Sequence, residues 1–111
     1  MSDETKSTVR PLIDIFMDIA GVENGLAYNE ISWNYTPDKL EMAMGMSHPA
    51  DILDDIFGEI GNRLYFDKNA IVTKKELTDM NKQLKAFSKA FSVKELKQPI
   101  QEITEYIKNM Q

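Results

Sequence analysis

Ile52, Leu53, Ile56, Phe57, Ile60 and Leu64 recur at steps of three and four residues, and this spacing constrains the fold more than any other feature of the chain. A strand turns over at every second residue and would scatter these six side chains, whereas an α-helix gathers them into one broad apolar stripe. Asp51, Asp54, Asp55 and Glu59 then fall on the wet face. Ser47, His48 and Pro49 supply a start signal, because proline is tolerated in a first turn, where its missing N–H has no intrahelical acceptor.

The same period governs most of the chain. Leu12, Ile15, Phe16 and Ile19 form an earlier stripe behind Pro11, and Gly21 and Gly25 are expected to end that helix and open a loop through Asn24. A short apolar helix is expected over residues 30–35, cut off at Thr36 and Pro37. Thr36, Pro37 and Asp38 then read as a helix start, with Leu40, Ala43 and Met44 on the buried side. Thr73 and Glu76 have the spacing of a capping box ahead of Leu77, Met80, Leu84, Phe87 and Phe91. Ser92 and Glu95 repeat that signature before Leu96, Ile100, Ile103 and Ile107. Counted from Ser92, Pro99 lies too deep for a first turn, so the expectation is a kink or a one-turn start followed by a fresh helix. The reading is all-α, with five to six helices in a single domain over residues 8–111 behind a disordered segment 1–7.

Composition narrows the function classes. The 111 residues suit one domain with a real core, and the chain has no cysteine, which removes disulfides, thiolate metal sites and thiol nucleophiles. No apolar run approaches the roughly 20 residues of a membrane span, and the polar, acidic start resembles no targeting peptide, so a cytoplasmic location is expected. Charge is uneven along the chain. Residues 1–65 carry four cationic side chains against twelve carboxylates, and residues 66–111 carry nine lysines against six carboxylates. Dispersed lysines without arginine make a poor nucleic-acid stripe, so solvated faces of mixed charge are the reading and nucleic acid is not the expected partner.

Two stretches carry the layout of an ion-binding loop. With Glu76 as the closing carboxylate, Asp67, Asn69 and Thr73 fall at alternate ligand positions, Ile71 would donate its carbonyl, and Val72 takes the apolar position that pairs loops across a β bridge. Over about 30 residues this resembles an EF-hand. Residues 20–30 resemble the short opening loop of the penta-EF-hand family, with Ala20, Gly21, Leu26 and Glu30 at the characteristic places and Glu23 as the nearest acidic ligand. The resemblance implies a pair of divergent EF-hands plus a C-terminal helix, with Leu26 facing Val72. It also implies metal ligation by Ala20, Glu23, Glu30, Asp67, Asn69, Ile71, Thr73 and Glu76. Tyr65 and Ala70 stand where an aspartate and a glycine belong, so no cofactor is expected and any calcium would bind weakly. A capping box formed by Thr73 and Glu76, with an ordinary turn before it, accounts for the same residues without an ion.

No catalytic constellation is visible. His48 stands alone without a cysteine partner, and nucleophile elbows, phosphate loops and dinucleotide fingerprints are absent from the sequence. Trp33 with Met42, Met44 and Met46 offers an adaptable apolar surface for another protein. The expected function is therefore non-enzymatic: a regulatory or light-chain-like module gripping an amphipathic partner segment. The alternatives are a small helical inhibitor, immunity or phage accessory protein, and a DNA-binding regulator.

Overall fold

The computed structural model describes residues 11–34 and 48–110, and its regular structure there is entirely helical. Four α-helices follow one another: α1 (Leu12–Ala27), α2 (Pro49–Phe66), α3 (Lys74–Phe91) and α4 (Lys97–Lys108). A single 3₁₀ turn, Lys94–Leu96, precedes α4. The helix expected from Thr36 through Met44 and the segment 1–7 lie outside the described residues.

Each helix packs against two others. Phe16 of α1 meets Phe57 of α2, Arg63 of α2 reaches Glu76 of α3, and Asn81 of α3 reaches Thr104 of α4. Leu12 shares one surface depression with Leu64 and Tyr106, and Gly21 shares another with Gln98 and Pro99. Neighbours around the ring are therefore antiparallel, which makes an up-and-down four-helix bundle. Its axis is filled by Ile15, Ile19, Leu53, Leu84, Phe87 and Ile103, all at 0% exposure. No helix among the described residues is long and apolar enough to cross a membrane.

α1 departs from the expected boundary. Gly21 and Gly25 do not end it, and the helix continues to Ala27. Two helical glycines cost about 1 kcal/mol each. Burying Val22 and Leu26, which extend the stripe of Ile15 and Ile19, returns roughly 1.5–3 kcal/mol per side chain, so continuation wins. The helix ends at Ala27 with Tyr28 as its C-cap, Asn29 beyond it takes a left-handed φ of 63°, and the N–H groups of Glu30 and Ile31 both donate to the Gly25 carbonyl. Ile31 thereby folds back onto the bare Cα of Gly25, where a Cβ would lie 2.5 Å from Ile31 Cδ1 and 2.7 Å from Cγ1. Around Gly21 a Cβ would meet nothing within 4 Å. Gly21→Ala is therefore expected to stabilise by about 0.5–1 kcal/mol, while Gly25→Ala gains nothing or destabilises. Thermal melts of the two variants check this, and equal stabilisation would contradict the fold-back of Ile31.

Two further boundaries are corrected, at residues 31–34 and at Ser92, while α2 starts where Pro49 was expected to restart the helix. Residues 31–34 are not helical, and Asn34 instead donates its N–H to the Phe91 carbonyl at 2.8 Å. His48 is the N-cap of α2, with Nδ1 accepting from the Ala50 N–H at 3.0 Å. Ser92 does not cap the last helix. It is the left-handed C-cap of α3, and Ser88 Oγ donates to the Val93 carbonyl beside it. The 3₁₀ turn then restarts the chain, placing Pro99 within the first turn of α4, where it is tolerated.

Candidate functional site

The first candidate ion loop does not exist as a loop. Ala20 and Glu23 lie within α1, so Ala20 belongs to the helical backbone, while Glu30 lies beyond the helix end with its side chain exposed. Leu26 is equally helical, and no β bridge forms among the described residues. The 14 steps from Leu12 to Leu26 rise roughly 21 Å. Because Leu12 shares a depression with Val72, Leu26 stands at the far end of the bundle from its expected β partner.

The second stretch is a hairpin turn closed by an internal cation. Thr73 and Glu76 form the complete capping box: Thr73 Oγ1 accepts from the Glu76 N–H at 3.1 Å, and Glu76 Oε1 accepts from the Thr73 N–H at 3.0 Å. Asp67 caps α2, and its Oδ1 accepts from the Asn69 N–H at 3.0 Å, a tight Asx turn. The Arg63 guanidinium spans the rest. Its Nη1 donates to the Ile71 carbonyl at 3.1 Å and its Nη2 to Glu76 Oε2 at 2.6 Å. Two oxygens proposed as metal ligands thus bind a cation carried by the chain itself. Among the described residues, no group of three or more acidic, histidine or cysteine side chains is arranged to hold a metal ion.

Arg63 also sets the titration of this corner. Its hydrogen bond, followed by that from the Thr73 backbone, holds the Glu76 carboxyl below the usual glutamate value. A depressed acid contributes stability above its unfolded pKa, and that contribution is lost as pH falls through the folded one. Wild-type protein is accordingly expected to lose stability on acidification below the ordinary glutamate range, and Glu76→Gln to show a shallower loss. The pair is half-exposed and screened by solvent, so the difference is small. Urea midpoints measured against pH would reveal it, and identical pH profiles would contradict the clamp.

Of the expected docking residues, Trp33 alone falls within the described part of the chain. Trp33 is half-buried, edge-on to Phe91 at 5.9 Å and to His48 at 6.0 Å, so it pins residues 31–34 against α3 and the start of α2. Met42, Met44 and Met46 lie outside the described residues. Large apolar side chains are exposed at Met17 on α1 (53%), Tyr28 just past its end (74%), Tyr65 and Phe66 at the end of α2 (71% and 85%) and Ile71 in the turn (82%). The Tyr65 and Phe66 rings meet edge-on at 5.7 Å. Met17 and Tyr65 line a groove between α1 and α2, Ile71 lines a depression under the α2–α3 turn, and Ile13 borders both. The available sequence signal was that Tyr65 and Phe66 follow Leu64 out of phase with the buried stripe.

Comparison with family models, with curated proteins and with solved structures found no match to this chain.

Proposed function

We propose that the chain is a non-enzymatic protein-binding module that engages its partner on the outside of a closed bundle. The observation that carries this reading is the exposure of the apolar side chains Met17, Tyr65, Phe66 and Ile71, of which Met17 and Tyr65 share one groove and Tyr65 meets Phe66 edge-on. Aromatic side chains exposed beside a groove are the composition of protein-binding hot spots, and a filled bundle axis leaves no interior groove to grip a partner. This reading adds these side chains to the expected docking residues Trp33, Met42, Met44 and Met46, of which the three methionines lie outside the described residues.

Phe66→Ser with Ile71→Ser tests it, because both side chains are largely exposed and their loss spares the core. Helicity and melting temperature are expected to hold. Recovery of the partner from the native host, quantified by mass spectrometry, is expected to fall at least about tenfold, the loss associated with removing an interface anchor. Undiminished recovery would overturn the reading.

A further inference from the structure

We infer that the groove between α1 and α2 receives a basic amphipathic helix of the partner protein, with its cationic end beside Glu23 and Asp54 and its apolar face on Met17 and Tyr65. This rests on the protein-binding reading above and specifies the chemistry of the partner.

The groove has the shape for such a guest. Its floor is formed by Phe16, Phe57, Gly58 and Gly61, and its walls by Met17, Ala20 and Tyr65. Glycine at 58 and 61 in the floor and alanine at 20 in the wall add little bulk, which leaves room for side chains of an approaching helix. At Gly61 the floor is already close-packed: a Cβ there would lie 3.3 Å from Phe57 Cδ2 and 3.4 Å from Phe16 Cδ2. From Ile13 to Glu23 the α1 wall runs roughly 15 Å, about three turns of a docked helix.

Charge selects the guest. Glu23 and Asp54 line one end of the groove and Asp51 lies nearby, and none of these three carboxylates has an ion-pair partner among the described residues. Partial burial, followed by repulsion from Asp54 and Asp51, raises the Glu23 carboxyl above its ordinary value, so the site favours an added positive charge. A bare metal ion does not meet this need, since these acids are not arranged as a metal-holding group. A lysine or arginine on a helix does, because its long stem crosses the apolar floor while its head reaches the acids. The other end of the groove carries Tyr65, whose ring touches Phe66. An acidic end and an aromatic end together fix the direction in which the guest helix lies.

The test uses an 18-residue helical peptide of leucine and lysine with the two residue types segregated on opposite faces. The control has the same composition with the faces scrambled. Binding to the full chain is followed by amide chemical shifts at low ionic strength. The segregated peptide is expected to bind, to shift the amides of Met17, Ala20, Gly58 and Gly61, and to bind at least about fivefold more tightly than the control. Glu23→Gln with Asp54→Asn is expected to weaken it by about fivefold, the effect of two exposed ion pairs. Lys82→Gln with Lys85→Gln on α3 should leave it unchanged. The acidic variant spares the core, because Asp54 is exposed and Glu23 lies outside the buried cluster, and its melting temperature is expected to hold. Equal binding of both peptides, shifts confined to α3 and α4, or indifference to the acidic variant would overturn the inference. So would a peptide-free dimer that the acidic variant dissolves, or protection of the groove by residues 35–47. If Phe66→Ser with Ile71→Ser abolishes partner recovery while the acidic variant changes nothing, the guest chemistry is wrong and the protein-binding reading stands.

Discussion

Phe87→Ala is expected to lower the stability of the fold by about 3–5 kcal/mol, the cost of emptying a large aromatic site that its surroundings fill only partly. Phe87 is 0% exposed and is the largest fully buried side chain of the bundle. Its ring lies 4.9 Å from that of Phe91, which in turn supports Trp33. The loss therefore reaches beyond one side chain, to the anchor that holds residues 31–34 against α3. A domain of this size has about 5–15 kcal/mol in total, so the variant is expected to be marginal. Urea unfolding with an unchanged slope and a strongly lowered midpoint is the expected readout. A shift below about 1 kcal/mol would mean that the centre of the core lies elsewhere.

A charge on the buried side of α2 should be worse still. Leu53 is 0% exposed, Ile56 is half-buried at the edge of the stripe, and Asp55 is exposed. Leu53→Asp is expected to prevent folding at neutral pH, since an unpaired buried carboxylate costs several kcal/mol even after its pKa adjusts. Ile56→Asp should be tolerated at reduced stability, because the carboxylate can turn outward. Asp55→Ala should change stability by no more than about 0.5 kcal/mol. Circular dichroism melts would rank the three. Equal damage from Leu53→Asp and Ile56→Asp would show that α2 is rotated from the orientation described.

The same two residues show what the sequence could convey. Periodicity placed both in one stripe, but it could not say that Leu53 faces the axis and Ile56 the flank, because that depends on where α1 and α3 lie. The stripes of α1, α2 and α3 and the capping box at Thr73 were legible, since each is a local pattern with a local cause. The end of α1 was not: Gly21 and Gly25 are ordinary terminators, and only the burial of Val22 and Leu26 and the fold-back of Ile31 reveal why the helix passes through them. Arg63 was missed because it precedes the candidate loop, and only the hairpin brings its guanidinium onto Ile71 and Glu76. The groove was invisible for a related reason. Glu23 read as a ligand of its own loop, whereas the acids that repel it, Asp54 and Asp51, come from α2.

The bundle and a pair of ion-binding loops make opposite demands on one distance. Paired loops would hold residues 20–30 and 65–76 side by side across a β bridge, whereas the bundle puts the end of α1 and the α2–α3 turn at opposite ends. The chain has no cysteine, so Ala27→Cys with Lys68→Cys, both at exposed positions, accepts two spin labels without competition. Pulsed electron resonance on this variant, with and without calcium, measures the separation directly. The bundle predicts a single distribution centred at or beyond about 20 Å, from the rise of α1, and unmoved by calcium. A distribution centred near about 10 Å, or one that calcium draws inward, would contradict it.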